Sequence, residues 1–206
     1  MANHPYLASS EPAVRHLFAG LAEYDSLPLP RILQYVDETG VVRMTKEENE
    51  QFLKAYEAHF DLEFSLACLA GSILQIAYLC LKQYSPRPVL NARCLQLGVK
   101  ERSTAARCCV GRLVKDLPIG LLIYAGRIQY NHWEGGEPEN EAAKNVFREL
   151  VRAYYDNPYF DMGYVLDYPS PKPVSHHIVR LELRWREYSD YAKDMQAMIE
   201  NDQRPS

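Results

Sequence analysis

The chain has 206 residues, of which 47% are hydrophobic and 24% charged, which suits one well-buried domain with an appendage and excludes a disordered polymer. Its five cysteines form no CxxC pair, so a zinc or disulfide framework is not expected; they read as reduced core thiols of a cytoplasmic protein. Net charge is −4, yet the stretch from Lys82 to Arg127 carries nine basic and two acidic residues, a net of +7, and the remainder −11. Such asymmetry makes a positive pole for an anionic ligand, or it is no more than a run of basic helix surfaces.

In chain order, residues 1–9 read as a lead-in, with no basic segment and cleavage site of the kind that opens a secretory signal. Ser10 is a candidate cap for a first helix with Pro12 in its opening turn, and Val14, Leu17, Phe18 and Leu21 form its apolar stripe. Leu27-Pro28-Leu29-Pro30 is an extended connector, since the residue before each proline is pushed out of the α region. Ile32–Val36 and Val41–Met44 flank Asp37-Glu38-Thr39-Gly40 and predict a β-hairpin. Thr45 and Glu48 then match a capping box that starts the longest element, uninterrupted by proline as far as Ser85. Its second half, Phe64 to Leu81, is 18 residues without a charge. That length reaches the lower bound for a membrane span, but Ser65, Gly71, Ser72 and Gln75 interrupt it and favour a helix buried within a bundle, with no membrane contact.

Pro88 to Gly98 reads as a short helix, and Ser103 as the cap of another that turns Ala106, Cys109, Val110, Leu113 and Val114 inward, leaving Arg102, Arg107, Arg112 and Lys115 off the stripe. Asp116 and Pro118 open the next helix, and Ile119, Leu122, Ile123, Gly126 and Tyr130 give it an apolar face. That face stops in Arg127, Gln129, Asn131 and His132, before Gly135 and Gly136. A helix from Pro138 follows, with Ala143, Val146, Phe147, Leu150 and Tyr154 inward; then comes a stretch from Asn157 to Val174, rich in aromatics and proline, without visible period. The last element repeats Ile178, Leu181, Trp185, Tyr188, Ala192, Met195 and Ile199 at heptad spacing. The expected fold is all-α: a helical bundle built on a long central helix, with a small N-terminal β-hairpin. The divisions are 1–44 for the N-terminal helix and hairpin, 45–160 for the helical core, and 161–206 for the aromatic loop and a packing helix.

The chemistry gathers at Arg127-Ile-Gln-Tyr-Asn-His132. An arginine offers a permanent planar charge matched to phosphate oxygens. A histidine with an intrinsic pKa near ~6.5 accepts and returns protons at neutral pH. Together they suit activation of a ribose 2′-hydroxyl and stabilisation of charge on the phosphoryl group without a metal, with Asn131 orienting either partner. Five helical steps separate the two by about 140°, so they meet either by a helix end near Asn131 or across a dimer cleft. His176-His177 cannot both face one ion from a helix. No Gly-rich phosphate loop, GxSxG or HExxH is present.

This arrangement resembles the HEPN superfamily, small all-α proteins whose nucleases carry an Arg-x(4–6)-His motif. Arg127 matches the motif arginine and His132 the motif histidine, and the likeness extends over about residues 45–160. It implies a metal-independent endoribonuclease or RNA-binding protein, of a toxin–antitoxin or defence system, with catalytic Arg127, His132 and Asn131. RNA would contact Arg102, Arg107, Arg112 and Lys115; no cofactor or metal is implied. It further implies a homodimer with two motifs facing one cleft, and an antitoxin protein as partner. The residue after the motif arginine, usually polar in the family, is Ile128 here. The alternative expectation is a non-catalytic helical module that binds a protein partner.

Overall fold

The computed structural model describes residues 4–25, 43–86, 90–132, 140–155 and 173–200, with residues 56–61 and 155 described by backbone alone. Helix accounts for 77% of them. The connector at 27–30, nearly all of the hairpin expected at 32–44, Gly135 and Gly136, and the aromatic stretch up to 172 lie outside the described residues. The two-stranded hairpin that is described sits instead at 113–118.

Helix α1 (Pro5–Asp25) starts a full turn earlier than Ser10, and Pro12 lies inside it. Tertiary packing overrides the proline: Leu7 is buried, and the Tyr6 hydroxyl donates to the Ile76 carbonyl at 3.0 Å. Helix α2 (Lys46–Tyr84) has the expected capping box: Glu48 N–H donates to Thr45 Oγ1 at 3.2 Å, and Thr45 N–H to Glu48 Oε2 at 2.7 Å. Those bonds hold the Glu48 carboxyl below its ordinary value. Leu62–Tyr84 is long and apolar enough to cross a membrane, and 56% of its 18-residue apolar window is buried inside the molecule. It packs against α1, α4 and the 175–182 segment, with Leu66, Ala70, Ile73, Leu74, Ala77 and Leu81 in the core.

After the short α3 (Ala92–Gln96), capped by Asn91, Gly98 turns the chain at φ 78°. The helix expected from Ser103 reduces to one 3-10 turn, Ala105–Cys108. Gly111, at φ 90°, ends any helical course. Strands β1 (Leu113–Val114) and β2 (Leu117–Pro118) then pair antiparallel through a two-residue turn, in which Lys115 and Asp116 take φ 48° and 60°. Leu113 is therefore 61% exposed, not inward, and Asp116 and Pro118 belong to the hairpin, not to a helix start.

Helix α4 (Ile119–His132) runs through the centre, buried on every side from Ile119 to Gly126. Gly120 makes its entry possible, since a Cβ there would meet the Cys108 carbonyl oxygen at 2.4 Å. Helix α5 (Glu141–Tyr155) begins with Asn140 Oδ1 accepting from Ala143 N–H at 2.9 Å, and buries Ala143, Val146, Phe147 and Leu150 as its period requires. The final heptad stripe is broken. Helix α6 (Ser175–His177) continues as a π-helix (Ile178–Glu182), and α7 (Tyr188–Glu200) starts after an interruption where Arg184 takes φ 56°. Trp185 is fully buried, with its Nε1 donating to Asp194 at 2.8 Å and its ring edge-on to Tyr191. Leu181 is 49% exposed, because the wider π turn rotates it out and carries Glu182 in.

Candidate phosphate site at the end of helix α4

Arg127 is half-buried where α4 crosses α2. Its Nε donates to Gln75 Oε1 at 2.8 Å, and its guanidinium carbon lies 4.7 Å from the centre of the Tyr78 ring. The Asn131 amide, turned with its oxygen toward Arg127, accepts from Nε at 2.9 Å and from Nη2 at 3.2 Å. Each of these partners is neutral, so the guanidinium is held in place with its charge uncompensated among the described residues. That distinguishes it from Arg15, Arg93 and Arg148, which pair with Glu11, Glu149 and Glu141. Burial pushes the Tyr78 hydroxyl up, against the pull of Arg127.

Gly71 fits the helix pair together: a Cβ there would meet the Tyr130 ring at 2.6 Å, so the ring lies flat on α2 just before the motif ends. Ile128, by contrast, is 7% exposed and belongs to the core. A polar side chain at 128 would face apolar neighbours, not Arg127. Asn131 and His132 are exposed at the last turn. No hydrogen bond or ion pair joins His132 to Arg127 among the described residues. The motif is thus assembled in part: Arg127 and Asn131 meet, and His132 projects separately from the same helix end.

The four basic candidates fare differently. Arg112 forms a bidentate pair with Asp194, at 3.0 and 2.9 Å, and also donates to the Leu183 carbonyl at 2.6 Å. Lys115 Nζ lies 3.0 and 3.2 Å from the Glu182 carboxylate and 3.3 Å from the Tyr154 ring centre. Tyr154 donates to the same carboxylate at 2.5 Å, and His177 Nε2 stands 3.6 Å away. These two cations lock the hairpin to the C-terminal segment. Arg102 is exposed, and Arg107 donates to the Lys82 carbonyl at 2.6 Å.

Sequence reasoning missed Gln75 and Tyr78 as partners of Arg127. The available signal was a lone amide inside an uncharged helical run, three residues before a tyrosine. Among the described residues, no three His, Cys, Asp or Glu side chains converge on a point that would hold a metal. The cysteines are free thiols; burial pushes Cys80 and Cys108 up to about 12.

No family model, curated protein or solved structure matches this chain.

Proposed function

We propose that this chain is a HEPN-like RNA-binding protein with metal-independent endoribonuclease chemistry. One observation carries the reading: among the described residues Arg127 is held by neutral groups alone, so its charge is oriented and uncompensated there, at the helix end where His132 is exposed. In that reading the guanidinium clamps the scissile phosphate, and Asn131 steadies it. His132 takes the 2′-hydroxyl proton as the oxygen attacks phosphorus; the 5′-oxygen leaves as a hydroxyl, protonated from water while the imidazolium returns its proton to solvent, and a 2′,3′-cyclic phosphate remains. Such acid–base help is worth typically ~10²–10⁴ in rate.

The test is cleavage of RNA in the presence of a chelator. Wild type should yield 2′,3′-cyclic ends, and His132→Ala should lose at least about a hundredfold in rate while remaining folded. Arg127→Ala should weaken both cleavage and retention of RNA. Cleavage that survives His132→Ala would remove the catalytic assignment.

A second reading, a non-catalytic module that binds a protein partner, is favoured by exposed apolar side chains along α2, where Leu53 and Phe64 are 49% and 51% exposed. Wild type that neither binds nor cuts RNA would leave that reading standing.

A further inference from the structure

The turn between β1 and β2 sends its two charged residues to different places. Lys115 Nζ is spent on the Glu182 carboxylate, at 3.0 and 3.2 Å. Asp116, at φ 60°, instead lines a cavity of about 460 Å³ together with Asn91, Arg93, Leu113 and Pro118. It is the one acid in that wall among the described residues, and no ion pair there engages it. The cations nearest to it in the chain or in the wall are already matched: Lys115 by Glu182, Arg112 by Asp194 at 2.9 Å, and Arg93 by Glu149 at 2.6 Å. Asn91 commits its oxygen to the Cys94 N–H at 2.9 Å. The hairpin supplies the apolar part of the wall, since Leu113 is 61% exposed beside the cavity instead of entering the core. Arg127 lies nine residues beyond Pro118, so roughly 13 Å of helix axis separates this cavity from the phosphate site.

We propose that this cavity binds a small primary amine on an apolar chain, with the ammonium on Asp116 and the hydrocarbon against Leu113 and Pro118. The volume falls within the ~300–1,000 Å³ typical of small-molecule sites. Charge sets the sign of the ligand: an anion would meet an uncompensated carboxylate, and the Arg93 guanidinium is already paired with Glu149. A neutral hydrocarbon fills the apolar side and leaves the carboxylate unmatched, whereas a bare cation leaves Leu113 in water. Asp116 is exposed, so the ion pair selects among ligands more than it tightens them, and affinity should be about millimolar. The inference stands apart from the RNA reading, since it uses none of the residues of that site.

Titration of the full chain with hexylammonium, hexan-1-ol and hexanoate, followed by amide chemical shifts, compares one hydrocarbon chain in three charge states. Hexylammonium should shift the amides of Asn91, Leu113 and Asp116. It should bind at least about tenfold more tightly than either of the others, the effect of one charge-assisted hydrogen bond. Methylammonium should bind at least about tenfold more weakly than hexylammonium, because it buries no chain. Asp116→Asn keeps the side-chain shape and tolerates the left-handed backbone, so it should erase the preference over hexan-1-ol without moving the unfolding midpoint. Leu113→Ser should weaken hexylammonium about threefold and leave that preference in place. Hexan-1-ol matching hexylammonium on wild type, or Asp116→Asn binding the amine as wild type does, overturns the ammonium assignment. Hexanoate binding most tightly overturns it too, and shows that Arg93 meets the ligand. Methylammonium equal to hexylammonium overturns the apolar half, and no shift with any of the four probes at about 20 mM overturns the site.

Discussion

Arg127 depends for its orientation on side chains of another helix, and each can be removed separately. Gln75 accepts from Nε at 2.8 Å and contributes no charge. Gln75→Leu should therefore cost about 1 kcal/mol in stability through one lost hydrogen bond, and should weaken RNA retention several-fold as the fork loosens. Tyr78→Phe keeps the ring beneath the guanidinium, so it should retain binding. Filter binding compares the two; equal losses would show that the hydroxyl, not the ring, holds the arginine. Arg127 and His132 were legible because a polar cluster ending an apolar helix is a local pattern. Gln75 was not, because 52 positions separate it from Arg127 and only the packing of α2 on α4 joins them. The charge of Arg112 and Lys115 was legible too, but the carboxylates that neutralise it come from Asp194 and Glu182, far along the chain.

At the scale of elements, period and capping were readable and irregular geometry was not. The Thr45 box and the inward face of α5 follow from spacing alone, whereas the π turn at Ile178–Glu182 keeps no regular period to detect. That turn buries Glu182 at 1% exposure. Burial alone would raise its carboxyl, but His177, Tyr154 and Lys115 together outweigh burial and hold it below its ordinary value. Lys115 is lowered as well, because its own burial outweighs Glu182, so the pair gains on one side and loses on the other. We weight the Glu182 side, since Lys115 keeps 28% of its side chain in water. A depressed carboxyl contributes stability above its unfolded pKa, near ~4.3, and loses it as pH falls through the folded value. Glu182→Gln should thus be less stable at neutral pH by ~2–3 kcal/mol, with a urea midpoint that declines less steeply than wild type below about pH 4. Parallel midpoint curves would show that the carboxylate is not what acid unfolds. A sharper steric test sits at the start of α4: Gly120→Ala drives a Cβ into the Cys108 carbonyl oxygen, 2.4 Å away. Since backbone there cannot rotate aside as a side chain can, the loss should be ~2–3 kcal/mol in thermal or chemical unfolding.

For the whole molecule, the unsettled geometry is that Arg127 and His132 leave one helix end on different faces, about 140° apart by helical rotation. If catalysis needs both on one phosphate, the simplest closure is a two-fold dimer in which the arginine of one protomer faces the histidine of the other, an isologous contact burying well over ~1,000 Å². Such a site makes a quantitative prediction. Arg127→Ala and His132→Ala chains are each inactive alone, but a mixed dimer contains one composite site with both wild-type groups and one with neither. Random co-assembly from equal amounts makes half of all dimers mixed, so RNA cleavage should recover to about a quarter of wild type. A site built within one chain gives no recovery, because every chain then lacks one of the two groups. Sedimentation at micromolar concentration must show the dimer under the same conditions; monomer with full wild-type activity would remove the composite site and require His132 to swing round at the end of α4.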